Sequence, residues 1–274
     1  MKNIITRADD FGSGRGANDA ILEAVQAGFI RNVSLMACGA FIEEGAARLK
    51  DADNVCFGIH FTMNSEWDRI KFAPMASADE IPLLLDSSGE FYPSPEELIK
   101  ALGEDYRKEP NPKLLEQIRL EWRLQLAKLR KLGFSIAYGD THMFPERTIP
   151  GLKEAMRVWM KEEGLLDHRY FYHPLPHLDA LAKVPGLWEI TAKGLGEGQY
   201  FYLAHPAVPS EDMYLTGNRH TAAAHVVKAR EQDYRFVTGG RTLESCKEAG
   251  IRTIRYDEAV RGDYDSVEEW LGDR

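Results

Sequence analysis

Cysteine is scarce: Cys38, Cys56 and Cys246 are the only three in 274 residues. They are too few and too scattered for a disulfide framework, and an odd count suits a reducing compartment. None belongs to a C-x-x-C pair, so a cysteine zinc cage is not expected. Long apolar runs are lacking as well. No stretch approaches about 18 apolar residues, the length a membrane-spanning helix needs, and the opening MKNIITRADDFG has no apolar region of secretory length. A cytoplasmic chain is the expectation. Positive charge is in deficit: 34 Lys and Arg face 43 Asp and Glu, a net charge of −9 with His neutral. That balance argues against nucleic acid and anionic membranes as partners and leaves a small neutral ligand open. No repeat, low-complexity segment or linker divides the chain. With 44% hydrophobic and 28% charged residues, it reads as one globular unit over 1–274.

What is present is an alternation of short apolar runs with longer amphipathic segments. Strands are expected at 3–6, 33–37, 55–61, 134–138, 187–191, 200–204 and 251–256. Helices are expected at 17–27, 41–49, 112–132, 149–162, 221–234 and 241–249, with Gly28 and Gly133 as C-terminal stops. The stretch 64–95 lacks periodicity, holds Pro74, Pro82, Pro93 and the turn signal Ser88-Gly89, and reads as an insertion. Alternation of this kind predicts a parallel sheet with helical crossovers, either a closed barrel or an open doubly wound sheet. In both, functional side chains gather beyond the carboxyl ends of the strands.

The residues at those ends carry the chemistry. Asp9 and Asp10 follow the first strand, His60 closes the third, Asp140 and His142 follow 134–138, and His205 follows 200–204. Parallel strands would aim all of them at one mouth. Two imidazoles and a carboxylate are a common divalent-metal set, which Asp10, His60 and His142 would fill. Asp9 would serve as the base that deprotonates water, and His205 as the donor to a leaving nitrogen. Neighbours on a strand point opposite ways, so Asp9 and Asp10 can share a site only if the chain bends, which Gly12 makes cheap.

Plainer readings exist for each residue. An Asp-Asp pair is commonly a solvated turn or helix cap, and a lone His after a strand a hydrogen-bonded structural residue. Trp67, Phe72 and Phe144 could stack on a ligand ring, with simple packing as the alternative. Arg230 could orient a carboxylate, though the Arg230-Glu231-Gln232-Asp233 run reads more naturally as a solvated helix face. His168, His173, His177, His220 and His225 lie in polar or Pro-containing stretches, and His173 and His177, which flank Pro174 and Pro176, read as loop residues. Gly12, Gly14 and Gly16 resemble a dinucleotide loop, but the G-x-G-x-x-G spacing is not met and Asp9-Asp10 would repel a pyrophosphate.

At these same residues the chain resembles the YdjC-like carbohydrate deacetylases, of chitooligosaccharide and hopanoid type. Thr6-Arg7-Ala8-Asp9-Asp10-Phe11-Gly12 is similar to the N-A-D-D-F-G motif of that family, and Val33-Ser34-Leu35-Met36 to its V-S-L-M segment. Gly58-Ile59-His60-Phe61-Thr62 matches G-x-H-x-T, Asp140-Thr141-His142 matches D-[ST]-H, and His205-Pro206 matches a late H-P. The resemblance implies an α/β fold: a TIM-like (β/α) barrel, irregular or seven-stranded, similar to polysaccharide deacetylases. It also implies one divalent metal ion, Mg2+ or Zn2+, held by Asp10, His60 and His142. Asp9 would be the general base and His205 the general acid in removing an N-acetyl group from an amino sugar or short oligosaccharide. A non-catalytic sugar- or metal-binding relative and an amidohydrolase on a non-sugar amide are the alternatives. A homodimer is the expectation from common oligomer symmetry.

Overall fold

A computed structural model describes residues 1–262. It opens on strand β1 (Lys2–Phe11), longer than the apolar run at 3–6 suggested. The strand continues through Thr6, Arg7, Asp9 and Asp10 because these side chains, all buried, find partners across the sheet. Strands β2 (Asn32–Leu35), β3 (Cys56–Phe61), β4 (Ile136–Thr141), β5 (Leu166–Asp167), β6 (His173–Pro174), β7 (Gly198–Ala204) and β8 (Ile251–Ile254) complete the sheet. Their order is β5-β4-β3-β2-β1-β7-β6, with β8 also paired to β1, and every pairing is parallel. The sheet curls as an open half-barrel; β5 and β6 lie at its two edges.

Helices alternate with the strands: α1 (Arg15–Ala27), α2 (Ile42–Leu49), α3 (Pro95–Leu102), α4 (Asp105–Lys108), α5 (Pro112–Lys131), α6 (Leu152–Glu162), α7 (Leu187–Gly194), α8 (Ala223–Thr238) and α9 (Gly240–Glu248). Among the described residues no helix is long and apolar enough to cross a membrane. One expected strand, 187–191, is instead the start of α7. The side chains that turn inward there are Trp188, Thr191 and Ala192, a helical spacing, while Ile190 stays 71% exposed. A run of five residues carries both periods, and Gly186 at φ 78° starts the helix.

Helix α5 shows how the fold serves the site. Its apolar face buries Ile118, Trp122, Leu126 and Leu129 almost completely, contributing roughly 1.5–3 kcal/mol for each large side chain. At its start Asn111 accepts from the Leu114 N–H, and Gly133, expected as a stop, follows at φ 96°. Beside that apolar face lie buried polar residues. The Gln125 side chain exchanges hydrogen bonds with the Thr62 backbone at 3.1 and 2.6 Å. Glu121, fully buried, accepts from the Met75 and Ala76 N–H groups at 2.9 Å, and Gln117 accepts from Leu83 N–H at 2.8 Å. Between β3 and α3 the described chain forms neither helix nor strand beyond a single Leu85–Phe91 bridge. This is the stretch read as an insertion, and the polar row of α5 holds it against the carboxyl edge of the sheet.

Candidate active site at the carboxyl edge

Register alone brings β3 and β4 donors together: His60 and Asp140 are paired positions, and the His142 N–H extends the ladder to Phe61 O at 2.9 Å. Asp140 therefore lies inside β4 rather than after it. On β1 the β1–β2 register shifts between Ala8 and Phe11, and Asp10 takes φ 70°. The bend thus begins at Asp10 and continues at Gly12, which takes φ 100°. A bulge of this kind re-aims side chains, so Asp9 and Asp10 both face the site despite being neighbours.

Asp10, His60 and His142 meet. Asp10 Oδ1 lies 3.4 Å from His60 Nε2 and 3.5 Å from His142 Nδ1, and the two imidazole nitrogens are 3.2 Å apart. Donors about 2.1 Å from one ion are about 3.0 Å apart at octahedral angles and about 3.4 Å apart at tetrahedral ones. The triangle therefore fits a divalent cation and does not choose between magnesium and zinc. Asp10 Oδ1 is buried and accepts no hydrogen bond, which suits a ligand atom. A second cluster, Asp9, His60 and Asp140, also has metal-binding composition. Its oxygens are already matched by Arg7: Nε reaches Asp9 Oδ1 at 2.7 Å, Nη2 reaches Asp9 Oδ2 at 2.9 Å, and Nη1 reaches Asp140 Oδ2 at 2.9 Å.

Each member of the triangle has a partner behind it. His60 Nδ1 meets Asp140 Oδ1 at 2.5 Å, and Asp140 Oδ2 accepts from Ser34 Oγ at 2.5 Å. Arg230 Nη2 lies 2.7 Å from Asp10 Oδ2, so Arg230 is not a solvated helix residue; it leaves α8 to meet a buried carboxylate. Glu66 Oε2 lies 3.0 Å from His142 Nε2. Glu66 carries no motif in the sequence, and Arg7 stands there only as part of the motif at 6–12; an arginine shortly before two aspartates at a strand end was the available signal.

The charges act as expected from these contacts. Burial would raise Asp10 and Asp140, but Arg230 and the imidazoles hold Asp10, and Arg7 with His60 holds Asp140, well below the carboxylate range. Burial opposes charge on the histidines too, yet Asp9 and Asp140 push His60 up to about 10, and Glu66 with Asp10 pushes His142 up to about 9. His168, which the sequence places in a polar stretch, is 3% exposed, hydrogen bonded through Nδ1 to Tyr172 OH at 2.6 Å, and pushed down to about 3 by burial and Arg7.

His205 follows β7 directly and does not join the triangle. It is half-buried, held by a hydrogen bond from its backbone N–H to Asp233 Oδ2 at 2.9 Å, and lines a cavity of about 600 Å³. Arg7, Phe144, His168, Tyr172 and Arg230 line the same cavity, so the two arginines that brace the carboxylates also form its wall. That volume suits a small-molecule ligand. Asp10, Trp67, Phe72 and Arg230 line a separate narrow crevice. Phe72 packs edge-on against His142, centroids 5.8 Å apart, which is a packing role. Cys38, Cys56 and Cys246 are buried free thiols.

Comparison with known proteins agrees with this architecture. A family model described as YdjC-like protein matches residues 3–248. Carbohydrate deacetylases from Thermoanaerobacter pseudethanolicus and Geobacillus stearothermophilus are similar in sequence. The first is 29% identical over 52% of this chain and 50% of its own, the second 35% identical over 38% and 39%. The chain thus spans about half the length, or less, of these curated relatives. The crystal structure of a candidate cellobiose-phosphate cleavage protein from Enterococcus faecalis V583 shares the fold, with a TM-score of 0.74 at 17% identity over 94% of this chain and 99% of that one.

Proposed function

Because the chain belongs to the YdjC-like family, we propose that it is a metal-dependent deacetylase that hydrolyses the N-acetyl group of an amino sugar or short N-acetylated oligosaccharide. The observation that carries this reading is the convergence of Asp10, His60 and His142, with an Asp10 oxygen that accepts no hydrogen bond, beside a cavity walled by His205 and the arginines. The relatives named carbohydrate deacetylases supply the substrate class.

Asp10, His60 and His142 would hold one divalent ion, which supplies Lewis acidity and an acidified water. Asp9 takes a proton from the attacking water. Its two oxygens rest on Arg7, but a carboxylate offers about four acceptor sites, so lone pairs remain for that proton. Arg7 fixes the orientation of Asp9. The water oxygen bonds to the acetyl carbon, the C–N bond breaks, and His205 delivers a proton to the departing nitrogen. Acetate and a free amine result. Phe144 on the cavity wall offers an aromatic face to a sugar ring.

The test is acetate release from N-acetylglucosamine oligomers and other acetamido sugars, with and without chelator, across several divalent metals. Release that chelator abolishes and a divalent ion restores is expected, and Asp9→Asn should lose turnover while keeping metal. Metal binding without acetate release from any of these sugars would identify a non-catalytic relative. Release only from non-sugar amides would identify a different amidohydrolase.

A further inference from the structure

Arg230 behind Asp10 and Asp140 behind His60 belong to the helices and strands of the barrel. The partner of His142 does not. Glu66 stands on the irregular connection between β3 and α3, and its side chain is only 12% exposed. We propose that Glu66 is a positioning residue of the metal centre, and that the connection carrying it is docked in part by that centre. This rests on the reading that Asp10, His60 and His142 hold a cation.

The argument begins with the ring. His142 turns Nδ1 toward Asp10 and His60 and Nε2 toward Glu66. A nitrogen that binds a metal carries no proton, so the proton of the neutral ring must sit on Nε2. A carboxylate 3.0 Å from Nε2 selects that tautomer and fixes the plane of the ring. His60 shows the mirror arrangement, Nε2 inward and Nδ1 on Asp140. Glu66 is itself held. Its carbonyl accepts from Asn218 Nδ2 at 3.0 Å, Asp68 N–H donates to Gly217 O at 2.9 Å, and Ser65 N–H donates to Tyr92 O at 2.9 Å. Phe72, from the same connection, closes the other side of the His142 ring. Whatever affinity Glu66 adds for the metal, the metal returns as docking of the connection, because the coupling is reciprocal.

The probe is Co2+ titrated into the full chain, followed by its visible absorption and by chelator competition, with hydrogen exchange of the segment 64–76. Wild type should bind one Co2+ and slow exchange in that segment. Glu66→Ala should weaken binding about 10–100-fold and remove most of the protection. Glu66→Gln, which keeps the shape and a neutral acceptor, should fall between the two, and it serves alone if Glu66→Ala does not fold. A purely structural role would lower the thermal stability of the metal-free chain and leave Co2+ affinity and spectrum unchanged. That result, or wild-type binding without protection of 64–76, overturns the proposal. A wild-type chain that binds no Co2+ overturns the metal reading and this inference with it.

Discussion

Replacing Arg7 by Met tests the electrostatic core of the site. Arg7 is 1% exposed and contacts Asp9 and Asp140, each 2% exposed, at 2.7–2.9 Å. Methionine keeps most of the volume and packing but removes the charge, leaving two buried carboxylates without their cation. Breaking one buried pair from one side costs about 3–5 kcal/mol. Here two carboxylates share the cation, while Asp140 keeps Ser34 and His60, so a loss within that range is expected. At about 2–4 °C per kcal/mol, it lowers Tm by roughly 10 °C. The pH dependence has a definite sign. Asp140 is held below its ordinary value in the wild type, so its contribution is present above about pH 4 and lost as pH falls further. In Arg7→Met the Asp140 carboxyl can escape by protonation. The gap between the two proteins should therefore be widest at neutral pH and narrow on acidification. Urea unfolding of metal-free protein from pH 4 to 8 measures it. A deficit under about 1 kcal/mol at pH 7, or a gap that widens toward pH 4, would refute the reasoning.

Divalent-metal binding should release protons. His60 and His142, raised to about 10 and about 9, carry charge in the metal-free chain at pH 7, and a ligand imidazole must be neutral. Calorimetry in buffers of different ionisation enthalpy should count about two protons at pH 7, with affinity rising as pH climbs; no release would contradict the assignment. The same charged imidazoles stabilise the metal-free fold below about pH 6.5, and that contribution is lost as pH rises through 9 to 10. Gly58→Ala places a Cβ 2.2 Å from the Tyr138 ring, whose hydroxyl meets Ser34 at 3.0 Å and through it Asp140. It should cost at least about 1–3 kcal/mol in thermal unfolding; an unchanged Tm would show that Tyr138 moves freely. His205→Ala should lower kcat more than it changes KM in the acetate-release assay; an unchanged kcat removes His205 from proton delivery.

The sequence by itself determined the alternation of strands and helices, the parallel sheet, and the chain order of Asp9, Asp10, His60, His142 and His205. Those follow from period and turn residues, which act over a few neighbours: Gly28 and Gly133 stop α1 and α5 as their type requires. It also pointed to the meeting of Asp10, His60 and His142, since strand ends of a parallel sheet converge wherever they lie in the chain. Tertiary structure decided the rest. The run at 187–191 carried both a strand and a helix period, and burial of Trp188, Thr191 and Ala192 chose the helix. Arg230 leaves a polar helix face for Asp10, and Glu66 reaches His142 from a segment with no pattern at all. Arg7 carries the first strand beyond its apolar run at 3–6, because Asp9 and Asp140 supply what water would have. Such partners lie tens to hundreds of residues apart, and the free energy that joins a buried charge to its counter-charge exists only once the chain has closed around both.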